Sequence, residues 1–160
     1  MILLDVDGVL TDGTIAYHSD DEVIVNFNVK DGLGIKLAQA GGIPVGIISG
    51  RSSKALQRRV EELGIDIFYQ AQHDKLETYE QIKQIHAIDD DQVLYIGDDL
   101  NDLKILQKVG FKVSVQDGCN EIKEIADYVT EKPGGKGAVR EVVELVLKSQ
   151  GMWEQLMSSL

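Results

Sequence analysis

Short apolar segments alternate with helix-like segments along almost the whole chain. The predicted strands are 1–6, 43–48, 65–69, 93–96, 111–115 and 128–130. The predicted helices are 31–40, 52–63, 75–86, 100–109, 121–126 and 137–148. A strand, a helix and a second parallel strand form a right-handed unit, and repeats of that unit build a sheet covered by helices. The alternation therefore predicts an α/β domain with a mostly parallel sheet.

One segment, directly after the first strand, departs from this alternation. Residues 13–17 and 23–29 follow the period of a strand, and the polar residues 19–22 separate them, which predicts a hairpin. Its apolar side chains are Ile15, Tyr17, Ile24 and Phe27. Because a lone two-stranded hairpin is only marginally stable in water, we expect this one to pair with neighbouring subunits.

Composition narrows the classes of partner. The chain has 160 residues, which suits one domain, and a net charge of −11. Nucleic acids and anionic membranes attract basic surfaces, so neither is expected as a partner. The single cysteine, Cys119, excludes an internal disulfide and favours a reducing compartment. With no apolar run of the ~18 residues that a membrane span needs, we expect a cytoplasmic protein without a leader.

Polar side chains follow several predicted strands. They are Asp5-Val6-Asp7-Gly8, Ser49-Gly50-Arg51, Lys75 at the start of a helix, and Gly97-Asp98-Asp99 with Asp102. Because ligands of open α/β sheets bind at the carboxyl ends of the strands, we expect these groups to meet at one edge. Alone, each motif also suits a turn, a helix cap or a solvated surface. Their combination in this order is far more specific.

The combined chemistry suits phosphoryl transfer. Asp5 and Asp98 offer the oxygen ligands that Mg²⁺ prefers, and the cation would screen repulsion between a carboxylate and a phosphate. Asp5 is the candidate nucleophile, and Asp7 is the candidate proton donor and acceptor. The phosphate oxygens would then be held by Ser49, by backbone N–H groups near Gly8 and by Lys75.

The same residues resemble motifs of a known superfamily. The segments DVDGVLTDG, ISGR, the region of Lys75 and GDDLND are similar, in order, to the four motifs of the haloacid dehalogenase superfamily. The segments VKDGLGIK, RRVEELGI and GGKGAVREV look like those of small cap-less phosphatases that act on 3-deoxy-D-manno-octulosonate 8-phosphate. The resemblance extends over nearly the whole chain.

The resemblance implies an architecture and an activity. The fold would be a three-layer, Rossmann-like domain over residues 1–160 without a cap domain, with a hairpin insertion at about 13–29 and a C-terminal tail at about 134–160. The protein would be a Mg²⁺-dependent phosphatase of a sugar acid phosphate in lipopolysaccharide precursor synthesis. It would form a homotetramer through the hairpin, and its glycine-rich C-terminal segment would reach a neighbour's active site.

The resemblance also implies roles for individual residues. Asp5 would be the nucleophile and a metal ligand, Asp7 the general acid and base and a ligand through its backbone carbonyl, and Asp98 the third protein ligand. Asp99 and Asp102 would support the metal site or Lys75. Substrate would be bound by Gly8, Ser49, Gly50, Arg51, Lys75 and Arg140, with Arg51 and Arg140 as candidates for the sugar carboxylate in cis or across an interface.

Three other functions remain open at this point. A phosphatase for a nonulosonate 9-phosphate would share the fold and the hairpin, although Arg51 favours the octulosonate type. A signalling receiver domain also carries acids and a lysine at strand ends, but its phosphoacceptor follows a later strand. A catalytically inactive domain for assembly is disfavoured because every motif residue is present.

Overall fold

The structure, a computed structural model, describes residues 1–17 and 23–158. The strands are β1 (Ile2–Leu4), β2 (Ala16–Tyr17), β3 (Val23–Ile24), β4 (Val45–Ile48), β5 (Ile67–Tyr69), β6 (Leu94–Gly97), β7 (Phe111–Ser114) and β8 (Tyr128–Val129). The helices are α1 (Val29–Ala40), α2 (Lys54–Leu63), α3 (Lys75–His86), α4 (Leu103–Leu106), α5 (Asn120–Ile125), α6 (Ala138–Ser149) and α7 (Trp153–Ser158). Short 3₁₀ turns cover Asp90–Gln92 and Leu100–Asp102.

The six-stranded sheet has the order β5-β4-β1-β6-β7-β8, and its neighbouring strands are parallel. Leu4 at the end of β1 pairs with Ile47 of β4 on one side and Ile96 of β6 on the other. The chain builds outward from β1 to β5, then crosses to β6 on the opposite side. This arrangement confirms the predicted parallel α/β sheet and places a switch point, where such folds bind ligands, beside β1.

Helices cover both faces of the sheet, so the described residues form three layers. Along β1, Ile2 and Leu4 contribute to one buried cluster, whereas Leu3 contributes to the other. The first cluster includes residues of α1, α2 and α6, and the second includes residues of α3, α4 and α5. Because both faces of the sheet are covered, its central strands are apolar runs rather than alternating ones.

The hairpin is shorter than the sequence predicted. β2 and β3 pair antiparallel through Ala16 with Ile24 and Tyr17 with Val23, whereas the prediction spanned 13–17 and 23–29. Val29 begins α1 instead, because the Asn28 side chain caps that helix by accepting a hydrogen bond from the Lys30 N–H. The predicted turn at 19–22 lies outside the described residues. In the described part of the insertion between β1 and α1, β2 and β3 are the regular secondary structure.

One helical prediction needs correction, and one helix was missed. The helix predicted at 100–109 is a 3₁₀ turn followed by the four-residue α4, because the carboxylate of Asp102 turns inward and accepts a hydrogen bond from the Asp98 N–H at 3.1 Å. The helix α7 was not predicted. It packs on α6, and the Trp153 ring lies 4.9 Å from the Lys148 Nζ. Among residues 1–17 and 23–158, no helix combines the length and apolar character needed to cross a bilayer.

Candidate active site

Three adjacent strands deliver polar residues to the same edge of the sheet. Asp5 follows β1, Ser49 follows β4 and Asp98 follows β6. The parallel register aligns these strand ends. The structure therefore brings together groups that lie 93 residues apart in the chain, between Asp5 and Asp98.

A buried lysine joins this edge from α3. The Lys75 Nζ lies 2.8 Å from the Asp5 Oδ1 and 2.7 Å from the Asp102 Oδ1, and all three residues are at most 3% exposed. Burial lowers the pKa of Lys75, but the charges of Asp5 and Asp102 outweigh it, so the pKa is raised overall. The lysine is therefore a permanent cation between two carboxylates, not the solvated surface side chain that a lone lysine usually is.

Asp102 has every carboxylate oxygen engaged. Its Oδ1 accepts from the Lys75 ammonium and from the Tyr95 hydroxyl, each at 2.7 Å, and its Oδ2 accepts from the Asp98 N–H at 3.1 Å. Gly97 makes room for this carboxylate, since a Cβ there would lie 2.6 Å from the Asp102 Oδ2. Asp102 thus supports Lys75, one of the two roles that the resemblance implied for it.

Three acids converge around this lysine. Carboxylate oxygens of Asp5, Asp98 and Asp102 all lie within 4.8 Å of one another. Burial and the charge of Asp102 raise the pKa of Asp5 to about 7, although Lys75 opposes the shift. Burial and the charges of Asp5 and Asp102 raise the pKa of Asp98 to about 8. The cluster is short of positive charge and rich in hard oxygen donors, which is the donor set that fits a divalent cation such as Mg²⁺.

The loop after β1 approaches Asp98 closely. Gly8 has a φ of +85°, and a Cβ at this position would overlap the Asp98 carboxylate. Thr11 stabilises the loop: its Oγ1 donates to the Val6 carbonyl at 3.3 Å and accepts from the N–H groups of Gly8 and Gly13. A glycine is therefore required at position 8 by both backbone conformation and space.

The loop after β4 carries Ser49 and Arg51. The buried Ser49 hydroxyl donates to the Arg51 carbonyl at 3.0 Å and accepts from the Arg51 N–H at 3.2 Å. The Arg51 Nε lies 3.8 Å from the Asp7 Oδ2, and both side chains are partly exposed. Arg51 and Asp7 therefore stand together at the mouth of the site, with the carboxylate of Asp7 available to a ligand.

An open cavity of about 440 Å³ lies above these groups. Its lining residues are Asp5, Asp7, Gly13, Gly50, Arg51, Asp98, Asp99, Leu100 and Asn101. A cavity of this size admits a small molecule. Of the remaining predicted residues, Asp99 accepts a hydrogen bond from the Leu100 N–H at 2.8 Å and so caps the 3₁₀ turn.

Arg140 lies elsewhere in the chain's own structure. Its Nε donates to the Glu144 Oε1 at 2.7 Å, and its guanidinium lies 5.8 Å from the Trp153 ring. It is not among the described residues that line the 440 Å³ cavity. Contact between Arg140 and substrate across a subunit interface stays a prediction.

Two glycines of the C-terminal segment pack on this chain's own loop after β1. A Cβ on Gly134 would overlap the Gly8 carbonyl, and a Cβ on Gly135 would lie 2.5 Å from the Asp12 N. The Gly135 N–H donates to the Val9 carbonyl at 2.9 Å. The prediction that this segment reaches a neighbouring subunit's active site stays a prediction.

Sequence reasoning missed Tyr95 and the packing role of Gly97. Tyr95 lies in an apolar run, where a tyrosine resembles an ordinary core residue. A signal was nonetheless present, because a buried tyrosine hydroxyl needs a hydrogen-bond partner and Asp102 is seven residues away.

Comparison with known proteins identifies relatives of this chain. Residues 68–142 match the family described as haloacid dehalogenase-like hydrolase. The 3-deoxy-D-manno-octulosonate 8-phosphate phosphatase of Escherichia coli strain K12 is 43% identical over 155 residues, covering 97% of this chain and 82% of the relative.

Solved structures similar to this chain include phosphatases of the same kind. The 3-deoxy-D-manno-octulosonate 8-phosphate phosphatase from Moraxella catarrhalis, in complex with magnesium, phosphate and KDO, has a TM-score of 0.96 at 43% identity and covers 99% of this chain and 91% of its own. The cobalt-bound phosphatase from Haemophilus influenzae has a TM-score of 0.90 at 39% identity, with 94% and 88% covered.

Proposed function

The chain belongs to the haloacid dehalogenase-like hydrolases, within the family of 3-deoxy-D-manno-octulosonate 8-phosphate phosphatases, and on that premise we propose that it hydrolyses this sugar phosphate through an aspartyl-phosphate intermediate. The observation that carries the proposal is the buried ion chain of Asp5, Lys75 and Asp102 with Asp98 beside it. A nucleophile, a fixed cation and a metal-ligand set meet there at the base of an open cavity.

The first step transfers the phosphoryl group to the protein. A carboxylate oxygen of Asp5 forms a bond to phosphorus while the bond between phosphorus and the sugar oxygen breaks. Asp7 donates its proton to the leaving oxygen. This division of roles follows the environments of the two acids: both line the cavity, but Asp5 is buried against Lys75, whereas the Asp7 side chain is partly exposed beside Arg51.

The second step releases phosphate. The Asp7 carboxylate takes a proton from a water molecule, whose oxygen attacks phosphorus as the bond to the Asp5 oxygen breaks. Asp5 regains its carboxylate, and inorganic phosphate leaves. During both steps Lys75, the Ser49 hydroxyl and the backbone near Gly8 hold the phosphate oxygens.

The carboxylates of Asp5 and Asp98, with the backbone carbonyl of Asp7, would hold Mg²⁺. When bound, the cation screens the charge of the phosphate against that of the attacking carboxylate. Nearby positive charge also favours the ionised forms of acids, which suits Asp5 and Asp98, whose pKa values are raised to about 7 and about 8.

The experiment is a phosphate-release assay on the purified protein. We expect release from 3-deoxy-D-manno-octulosonate 8-phosphate with Mg²⁺ and none with excess chelator. A nonulosonate 9-phosphate, tested in parallel, should be a poor substrate. Preference for the nonulosonate would replace the substrate assignment and keep the reaction, whereas no release from either would reject the proposed function.

We further propose that the protein forms a homotetramer through the hairpin. Tyr17 is 74% exposed and Ile24 is 49% exposed, and the two strands that carry them pair with each other outside the main sheet. Because Tyr17 pairs with Val23 and Ile24 pairs with Ala16, the two exposed side chains lie on opposite faces of the hairpin, and each face offers an apolar side chain to a neighbouring subunit. The cytoplasmic location expected from the sequence stays a prediction.

Replacing Tyr17 and Ile24 together by serine should dissociate the assembly, because both changes remove exposed apolar surface without touching the core. Light scattering coupled to size exclusion measures the mass directly. As a matched control, Ile85→Ser removes an exposed apolar side chain, 66% accessible, from α3 and should leave the mass unchanged. A monomeric wild-type protein would contradict the tetramer.

A further inference from the structure

We propose that Tyr95 is a positioning residue of the reaction, which acts through Asp102 to hold Lys75 against Asp5. The inference rests on the proposed function, since it assigns a task within that site. Tyr95 lies in the middle of β6, opposite Leu3 of β1, and is 0% exposed. It is therefore too deep to touch a substrate and acts only through its neighbours.

The hydroxyl of Tyr95 shares an acceptor with the lysine. It donates to the Asp102 Oδ1 at 2.7 Å, the same oxygen that accepts from the Lys75 Nζ at 2.7 Å. The other oxygen, Oδ2, accepts from the Asp98 N–H. Three donors on two oxygens define the plane and the rotation of the Asp102 carboxylate, which in turn defines where the ammonium of Lys75 can sit.

Loss of the Tyr95 hydroxyl would leave the Asp102 carboxylate free to rotate and to shift the Lys75 ammonium. Asp102 competes with Asp5 for the same ammonium, at 2.7 Å against 2.8 Å. Without the tyrosine donor, Asp102 would satisfy Oδ1 through Lys75 alone and draw the ammonium away from Asp5. The backbone N–H of Asp98 rests on the same carboxylate, so that loop would shift as well.

If Tyr95 only stabilised the core, its loss should affect the protein in the same way as the loss of a second buried tyrosine, Tyr79. Tyr79 is also 0% exposed, and its hydroxyl donates to the Asp90 Oδ1 at 2.6 Å. That carboxylate also accepts from a lysine, Lys83, at 2.6 Å. Tyr79 belongs to the same buried cluster as Tyr95 but contacts none of Asp5, Lys75, Asp98 or Asp102 through its hydroxyl.

The test compares Tyr95→Phe with Tyr79→Phe under steady-state conditions with Mg²⁺ and the sugar phosphate. Each variant keeps its ring and loses one hydroxyl, so both should fold, and circular dichroism normalises activity to folded protein. We expect Tyr95→Phe to lower kcat by about 10–100-fold with KM changed by less than about twofold, since partners that stand behind reacting groups have effects of this size. Tyr79→Phe should leave kcat unchanged.

Three outcomes would overturn the inference. One is a kcat of Tyr95→Phe within about twofold of wild type. Another is an equal loss of kcat in both tyrosine variants, which would indicate a general effect of the core. The third is full kcat in Asp102→Ala, which removes the oxygen that accepts from both Tyr95 and Lys75, because Tyr95 would then have no route to Lys75. Failure of the wild-type protein to release phosphate would reject the proposed function itself, a separate result.

Discussion

Two clusters in this molecule use the same three residue types in the same hydrogen-bond pattern. In the inner cluster, Tyr95 and Lys75 donate to the Asp102 Oδ1, each at 2.7 Å. In the outer cluster, Tyr79 and Lys83 donate to the Asp90 Oδ1, each at 2.6 Å. Their bond lengths differ by only 0.1 Å, so local geometry cannot explain why one belongs to a candidate active site.

Burial and a second carboxylate make the difference. The Asp102 side chain is 0% exposed and the Asp90 side chain 41% exposed. Lys75 also bridges to the buried Asp5, whereas the second partner of Lys83 is the surface residue Glu80. Hydrogen bonds from Lys83 and Tyr79 lower the pKa of Asp90, whereas burial raises that of Asp5 to about 7. The outer cluster is partly solvated and therefore acts as a surface ion pair. The inner cluster is shielded from water, so its excess of carboxylates over cations is not screened.

Removal of one carboxylate from each cluster should separate them most strongly. Asp5→Asn deletes the proposed nucleophile while keeping its shape, so Mg²⁺-dependent phosphate release should fall to background. Asp90→Asn, the matched control, should retain wild-type kcat. Both variants should keep the wild-type circular dichroism spectrum. Full activity of Asp5→Asn would rule out this carboxylate as the nucleophile.

Removal of the lysine should lower the free energy of unfolding much more in the inner cluster than in the outer one. Lys75→Met removes the cation that lies buried between Asp5 and Asp102, and removing one partner of a buried ion pair costs about 3–5 kcal/mol. Lys83→Met breaks a partly solvated pair, which costs about 0–1 kcal/mol. Urea denaturation in chelator measures both free energies of unfolding. Equal losses would show that burial does not distinguish the two lysines.

The pH dependence of stability should have opposite signs in the two clusters. Without metal, folded Asp5 and Asp98 keep their protons to about pH 7 and about pH 8, whereas unfolded carboxyls titrate near 4. The unfolded state therefore loses protons first, and the free energy of unfolding should fall as pH rises from about 4 to about 8. Asp90, whose pKa is lowered, contributes stability above the usual carboxyl pKa, and that stability is lost as pH falls through the lowered value.

Thermal denaturation across pH tests this contrast. Asp98→Asn in chelator should reduce the loss of stability toward pH 8, and Mg²⁺ should reduce it in the wild type. Asp90→Asn should lower stability by a constant amount at neutral pH and flatten the acidic end of the curve, where the wild type loses this contribution. A metal-free wild type that gains stability between pH 5 and 8, by contrast, would contradict the raised pKa values.

Much of the fold could be predicted from the sequence because its signals are local. The apolar runs that became β1, β4 and β6, and the glycine that ends α2, depend on neighbouring residues alone. The 100–109 region could not be predicted this way. Its helix is shortened by the contacts of Asp102 with residues from other elements, which no periodicity reveals.

In the candidate site, too, the residues with local sequence signals could be predicted, and those that depend on contacts between distant elements could not. Its polar residues were identifiable because each follows a strand-like run, and the parallel sheet then brings them to one edge. Tyr95 was not identifiable as part of the site, since a tyrosine within an apolar strand resembles core. Within this chain Arg140 contacts Glu144 and Trp153, and its contact with substrate across a subunit interface stays a prediction.

The sequence by itself determined which groups are present: the acids, the lysine, the glycines that allow close approach and the apolar runs that align them. Only the tertiary structure showed that Lys75 is buried between two carboxylates whereas Lys83 is partly solvated, because the sequences around both lysines offer a nearby tyrosine and aspartate. The physical reason is solvent. Burial beside a second carboxylate is a property of packed layers, and it changes the pKa values and the strength of an ion pair without changing any of its hydrogen bonds.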